Sequence, residues 1–495
     1  MPQLFVLSID QGTTGSRAIL YDRLGRLKSS AYQEFKQYYP KPGWVEHDPY
    51  DILRSVKNVI SEVIKKASVQ PSQIQSIGVT NQRETSVLWD RLSGEAVGKS
   101  IVWQDRRTSG LCIKLKKQGL EPEFSRKTGL LLDPYFSGTK LRWFFERHQP
   151  IYKKAKTGKI LFGTIDSWLL FHLTGKKVHA TDLTNASRTL LFDIRKKNWS
   201  RELCDILKTP ISCLPQTKAS NSFFGKTLNF SPLPNGIPIH AVMGDQQAAL
   251  YGQACYGIGD SKSTYGTGCF VLVNLGSKFV RSKFGLLTTL ACDRNGNPVY
   301  ALEGSIFIGG AAIQWLRDGL KLIKTAKETE TIAQKTINQD EIVVVPAFTG
   351  LGTPYWKPDV RGAIFGITRG TTREMIIKAT IDSIALQIND VIEVIVKEAG
   401  IKIPSLKVDG GASQNHYLMQ LQSDLLRIPI LKSDLTESTA WGVAKLAGYA
   451  SGFWSNLNKL DGLVRYDQFR PQMKLARKKQ IVERWKKAIS QLISY

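Results

Sequence analysis

The run from Leu4 to Tyr21, LFVLSIDQGTTGSRAILY, most constrains what this chain can fold into. An apolar run ends in Asp10, a polar turn of Gln11-Gly12-Thr13-Thr14-Gly15-Ser16-Arg17 follows, and a second apolar run, Ala18 to Tyr21, leaves it. The two runs read as strands joined by a turn with small residues at its tip. Such a turn offers backbone N–H groups, two Thr hydroxyls and a Ser hydroxyl to an anion, with Arg17 close by. Asp10, at the end of a buried strand, is placed to hold a divalent cation, directly or through water, and a carboxylate beside a phosphate cradle is what nucleotide–Mg²⁺ chemistry requires. An ordinary β-hairpin has the same pattern, so the choice rests on the remainder of the chain.

At 495 residues the chain exceeds a single hydrophobic core, and at least two domains are expected. After the first hairpin, residues 27–35 continue as a strand, 40–49 form a Pro/Gly-rich loop, 50–67 carry helical periodicity and 74–80 read as a buried strand. Residues 86–89 and 101–103 read as strands around the turn 92–95. Alternation of helices and strands up to IHAVMGDQQAAL (239–250) indicates an α/β domain, and Gly257 and Gly259 mark a boundary, placed at 254/255. The second half, 255–495, opens with the same grammar: DSKSTYGTGCFVLVN (260–274) is strand, glycine turn, strand. Strands at 286–291, 298–304 and 342–348, helices at 307–322 and 372–398, and a strand–double-glycine–helix unit at 406–415 follow. Residues 470–495 read as a helix with Ile481, Trp485, Ile489 and Leu492 on one face and Lys and Arg on the other.

The net charge of +26 is spread along the chain, densest in KKAKTGK (153–159) and in 477–487. No RNA-recognition signature or cysteine–histidine finger accompanies it, so a solvated basic surface is expected, with no nucleic-acid partner. No apolar run approaches the roughly 20 residues needed to span a bilayer. The first residues lack a charged segment before the apolar run, which argues against a signal peptide. The six cysteines form no CxxC pair, which argues against a zinc site or a disulfide framework and fits a reducing cytoplasm.

The chain has no GxxxxGK[ST] and no complete set of GxGxxG, HRD and DFG, which disfavours the P-loop and protein-kinase folds. A different phosphate apparatus remains, in three pieces: Asp10 to Arg17, Gly266-Thr267-Gly268, and Asp409-Gly410-Gly411-Ala412 with Asn415 one step on. Paired glycines permit close backbone approach to a flat ring or ribose.

These pieces, with KPGWVEHDP, GVTNQRET, IVWQDRRT, DPYFSGTKLRWF, TDLTNASRTLLFDI, GDQQAALYGQ, ALEGSIFIGGAAIQWLRD and PAFTGLGTPYWKPDVRGAIFGITRG, resemble the FGGY carbohydrate kinase family over residues 4–455. The set is similar above all to the members that phosphorylate glycerol. The resemblance implies an α/β fold of two ribonuclease-H-like domains of the actin/hexokinase superfamily, with the active site in the cleft between them. It further implies ATP-dependent phosphorylation of glycerol to sn-glycerol 3-phosphate with Mg²⁺, in a cytoplasmic homo-oligomer (dimer or tetramer). On the matching positions it implies that Arg83, Glu84, Trp103, Tyr135, Asp245, Gln246 and Phe270 bind the polyol, with Asp245 as general base. Thr13, Thr14, Ser16, Arg17, Thr267, Gly310, Gln314, Gly411 and Asn415 are implied for the nucleotide, and Asp10 and Asp245 for the metal. The residue types suit these roles: a cation beside a carboxylate can donate to and accept from neighbouring hydroxyls, and an Asp opening a helix can take a hydroxyl proton or serve as its N-cap.

Two departures from the family pattern carry expectations. Gly15 stands where many members have Ser, which removes a hydroxyl and is expected to loosen the phosphate turn. The segment NFSPLPNG (229–236) lacks both the cationic loop and the histidine through which some members are regulated, so neither regulation is expected. A pentulose or longer-polyol kinase of the same family, and a non-catalytic ATP-binding protein with a basic surface, are the alternative readings.

Overall fold

The computed structural model describes residues 3–336 and 342–495. Phe5–Gln11 (β1) and Gly15–Tyr21 (β2) pair antiparallel, with Asp10 opposite Arg17. Leu27–Glu34 (β3) extends the hairpin, and Ile74–Asn81 (β4) and Ile239–Gly244 (β5) add in parallel on the far side of β1, in the order β5-β4-β1-β2-β3. Both faces of this sheet are covered. One carries the Pro49–Ala67 helix, capped by the Asp48 carboxylate accepting from the Tyr50 amide, with Pro49 at its first position. Ile52, Val56, Val59, Ile60 and Val63 of that helix pack onto Phe5, Leu7, Ala18 and Leu20, each burial stabilising by about 1.5–3 kcal/mol. The other face carries the Ser438–Ala450 helix, which packs Ala440, Val443, Ala444 and Ala447 onto Val6, Ile19 and Tyr21.

The second half repeats this plan. Ser261–Tyr265 (β6), Cys269–Gly276 (β7), Leu287–Cys292 (β8), Pro298–Ile306 (β9), Leu406–Asp409 (β10), Ile430–Ser433 (β11) and Tyr466–Phe469 (β12) lie in the order β8-β9-β7-β6-β10-β11-β12. Within it, β9-β7-β6-β10-β11 has the order and the strand directions of the first sheet: the first three strands in chain order are antiparallel neighbours, and the next two join in parallel. The Arg373–Ala399 helix buries Ile377, Ile381, Ile384, Ile388, Val391 and Ile395 against it, an i, i+3/i+4 stripe.

Several expectations shift. The helix expected at 307–322 is a short one, Gly310–Gln314, that widens into a π turn over Trp315–Gly319, because Gly309 and Gly310 donate back to the carbonyls of Thr267 and Gly266 at 2.8 Å and tie its start to the β6–β7 turn. The strand expected at 342–348 is confined to Val343–Val345, paired with Ala363–Phe365. The C-terminal helix is Leu475–Ser494, because residues 470–474, with Pro471 among them, form a connection from β12 outside any helix or strand; Trp485 packs inward and donates to Asp390 Oδ2 at 2.6 Å. Chain order and spatial grouping also part company at the boundary set at 254/255. The Ser438–Ala450 helix, late in the second half, lies against the first sheet and the Asp245–Gly252 helix.

No helix among the described residues is long and apolar enough to cross a membrane. The six cysteines are buried free thiols. Lys153, Lys154, Lys156 and Lys159 are exposed, as expected of a solvated basic surface. In the 229–236 segment, Phe230 and Leu233 are buried in the first core and the Asn235 side-chain Oδ1 accepts from the Asn229 backbone N–H, which closes it as a compact turn.

Candidate active site

The two hairpins end alike. Gly12 N donates to Gly15 O at 2.9 Å and Gly266 N to Gly268 O at 2.9 Å, so two tight turns present Thr13, Thr14 and Thr267 to one cavity of about 870 Å³. The first turn is braced where loosening was expected. A Cβ on Gly15 would lie 2.6 Å from both the Gln33 carbonyl and the Tyr32 hydroxyl, so close pairing with β3 requires glycine there. The Tyr32 hydroxyl instead lies 3.3 Å from the Thr14 hydroxyl and stands beside the turn.

The same cavity is lined by Arg83, Glu84, Trp103, Tyr135, Asp245, Gln246 and Phe270. Arg83 and Glu84 leave the end of β4, and Glu84 holds a left-handed backbone (φ 60°) that is unusual for a residue with a side chain. The Ser137 hydroxyl donates to the Glu84 carbonyl at 2.8 Å, and Arg188 Nε to its carboxylate at 2.6 Å, which holds that conformation in place. Trp103 meets Tyr135 edge-on with ring centroids 5.5 Å apart and faces Phe270 at 6.4 Å, forming an aromatic corner.

Asp245 opens the Asp245–Gly252 helix; the N-cap itself is Gly244. Its Oδ1 accepts from the Gln246 amide at 2.7 Å and forms an ion pair with Arg83, 3.1 Å from Nε. Oδ2 accepts only a long bond from Gln246 Nε2, at 3.3 Å, and keeps room for a hydroxyl. Gln246 is in turn held by the buried ammonium of Lys262, on β6, which also donates to the Thr264 hydroxyl at 2.8 Å. Burial lowers the pKa of Lys262, with Asp409 and Asp245 opposing.

Beneath these cavity residues lies a buried ion-pair network. Arg83 donates to both oxygens of Glu303 at 2.6 and 3.1 Å, and Arg188 reaches Glu303 at 3.0 Å. Burial pushes the Glu303 carboxyl up, but Arg188 and Arg83 outweigh it and hold the group at about 2. Glu303, Arg188 and Lys262 had not been singled out from sequence. For Glu303 the signal is a charge inside an otherwise apolar strand, PVYALEGSI, where an unpaired carboxylate would be costly; Arg188, in a turn, and Lys262, in the polar SKSTY strand, carry no such signal.

Not every expected residue reaches the cavity. Ser16 is wholly buried, and its hydroxyl bonds that of Ser55 on the Pro49–Ala67 helix at 2.8 Å, so it does not line the cleft. Arg17 points to the opposite face of β2, where it pairs with Glu437 and lies 5.1 Å over the Tyr32 ring. Strand alternation explains the split: residues 16 and 17 cannot share a face. Gly310, Gln314, Gly411 and Asn415 lie outside the cavity lining. Gly310 is nonetheless joined to the β6–β7 turn, since a Cβ on it would meet the Gly266 carbonyl at 2.7 Å. A Cβ on Gly411 would meet nothing, whereas Asn415 is occupied in capping the His416–Leu426 helix and donating to Thr329 at 3.1 Å.

Asp10 lies below the first turn. Burial raises its carboxyl to about 7, Asp245 adds to the rise, and Arg17 opposes it. Two carboxylates whose charges penalise one another fit a divalent cation, which would reverse both effects. Among the described residues no group of three or more His, Cys, Asp or Glu is arranged to hold a metal alone, so such an ion would complete its shell with water and phosphate oxygens.

The comparisons agree with one another. The N-terminal domain of the FGGY family of carbohydrate kinases matches residues 5–252, and its C-terminal domain matches residues 262–451. A glycerol kinase of Geobacillus sp. (strain WCH70) is 50% identical over 492 residues, 99% of this chain and 99% of the relative. One from Bacillus subtilis (strain 168) is 47% identical over the whole of both chains. The crystal structure of Plasmodium falciparum glycerol kinase with ADP superposes with a TM-score of 0.93 at 37% identity, covering 99% of this chain and 98% of that one.

Proposed function

Given a chain that belongs to the FGGY family of carbohydrate kinases, we propose that it transfers the γ-phosphoryl group of ATP to glycerol, forming sn-glycerol 3-phosphate and ADP. The observation that carries this is a single cavity in which a hydroxyl-binding set, Arg83, Glu84, Tyr135 and Asp245, opens directly onto the phosphate-facing threonines 13, 14 and 267.

Glycerol's hydroxyls are taken by Arg83 as donor, Glu84 as acceptor and Tyr135, with its carbon chain against Trp103 and Phe270. Asp245 Oδ2 accepts the proton of the terminal hydroxyl as that oxygen attacks the γ-phosphorus. The bond to the bridging β–γ oxygen breaks, ADP leaves, and the proton passes to solvent from Asp245 after release. Much of the rate comes from holding hydroxyl and phosphorus in line, which the two turns and the ion-paired Arg83 accomplish by being rigid before substrate arrives. Asp10 and Asp245 would hold Mg²⁺, which would neutralise charge on the triphosphate. The base of the nucleotide is assigned to the second half, beside Gly310, Gln314, Gly411 and Asn415, and the polyol to the first, residues 1–254. The enzyme is read as cytoplasmic and as a homo-oligomer, dimer or tetramer, which sedimentation would test.

The test is ADP release with ATP and Mg²⁺ against glycerol, xylulose and ribulose. Glycerol is expected to be turned over with the highest kcat/KM. A preference for a pentulose would transfer the chain to another branch of the family, and ATP turnover indifferent to all three would sink the assignment.

A further inference from the structure

We propose that Glu303 is a positioning residue for the polyol site: from β9 of the second half, it sets the geometry of Arg83 and, through Arg188, of Glu84 in the first. The inference rests on the proposed glycerol kinase reading and deepens it. Glu303 does not line the cavity, and it is fully buried. Its two oxygens take both terminal nitrogens of Arg83, at 2.6 and 3.1 Å, and Arg188 Nη2 at 3.0 Å; the Ser305 hydroxyl adds a bond at 3.3 Å. With its terminal nitrogens so engaged, Arg83 turns its Nε to Asp245 Oδ1, 3.1 Å away. Arg188 turns its Nε to Glu84 Oε1, at 2.6 Å. One carboxylate therefore fixes the rotation of two guanidinium planes, and each plane fixes a carboxylate that faces the cavity.

The electrostatics require such a group. Arg83 and Arg188 are both buried, and each charge opposes the other; only a buried anion between them makes the pair tolerable. A planar fork bound at both teeth is also the geometry that holds a guanidinium still. Because Glu303 comes from β9, the hydroxyl-binding set is complete only when the two halves are docked. Polyol recognition is thus coupled to the docking of the second half against the first.

The test uses the intact protein with glycerol and ATP, each varied in turn. Glu303→Gln keeps the shape and removes the charge; it is expected to raise KM for glycerol by about tenfold or more, as for loss of a buried charge partner, while KM for ATP stays within about twofold. Combining it with Arg83→Ala should cost less than the two single substitutions summed, because part of the effect runs through that side chain and the rest through Arg188. A residue that served stability alone would lower Tm without separating the two KM values. If Glu303→Gln does not fold, Glu303→Asp, which keeps the charge but shortens the reach, is expected to fold and to raise glycerol KM by roughly threefold or more. An unchanged glycerol KM in the variant that folds, equal rises in both KM values, or full additivity with Arg83→Ala would overturn the proposal. Failure of the unsubstituted protein to phosphorylate glycerol would instead remove the reading beneath it, and the proposal with it.

Discussion

The indole N–H of Trp103 donates to the Thr13 hydroxyl at 2.9 Å, so the aromatic corner of the cavity and the β1–β2 turn share a hydrogen bond. Trp103 follows the Ser100–Ile101 strand, and Thr13 sits at the tip of the β1–β2 hairpin; their contact spans 90 residues.

Trp103→Phe keeps an aromatic wall and removes that donor. The hydrogen bond is worth about 1 kcal/mol, so KM for ATP and for glycerol should both rise by roughly fivefold. Initial-rate kinetics with each substrate varied will show it. A rise confined to glycerol would mean that Trp103 acts only as a wall.

Asp245→Asn keeps size and the hydrogen-bonding shape toward Arg83 but removes the acceptor of the proton. kcat should fall by about 10²–10⁴ with Tm nearly unchanged, the range associated with a general base. Turnover equal to the unsubstituted protein would take Asp245 out of the proton transfer.

Gly15→Ala places a methyl 2.6 Å from the Gln33 carbonyl. Backbone cannot swing aside, so the β2–β3 pairing must shift, at a cost of about 1–3 kcal/mol. A drop in Tm together with a raised KM for ATP is expected, because Thr14 sits on the same turn. A Tm equal to that of the parent would show the turn to be looser than this geometry.

Asp166 gives a pH dependence that can be signed. Burial raises its carboxyl from an ordinary 3.8 to about 7, Asp182 adds to the rise, and hydrogen bonds from Thr164 and Thr181 oppose it. The folded chain therefore holds a proton between those values that the unfolded chain has lost. Stability contributed by this group is full below about 3.8 and declines as pH rises toward 7, by at most about 1.4 kcal/mol per pH unit. Asp166→Asn should flatten the fall in Tm between pH 5 and 7.5. A variant whose Tm falls as steeply as the parent's would place the pH dependence elsewhere.

Part of this was legible along the chain. The strand–turn–strand units at 5–21 and 261–276, the order of the three glycine turns, and the placing of Arg83 and Glu84 side by side after a strand follow from local turn chemistry, strand patterning and contiguous motifs. The residues expected to bind polyol line one cavity. Ser16 and Arg17 read as part of the turn, whereas β2 begins at Gly15; alternation along it puts them on opposite faces, and a local pattern does not tell what each face meets. Ser16 met the Pro49–Ala67 helix, and Arg17 met Glu437 at the head of the Ser438–Ala450 helix.

Local patterns along the chain were enough for most of the strand–turn–strand units, for the turns that need glycine, and for the side chains that share one face of a helix. Only the tertiary structure decided that a helix from the end of the chain covers the first sheet, that Arg83 is held by a carboxylate 220 residues away, and that Lys262 supports Gln246. The physical reason is range. Turn geometry and periodicity are set by neighbours a few residues apart and leave a pattern in the chain, whereas a buried charge finds its partner through the packing of whole sheets, and that pairing leaves no local trace.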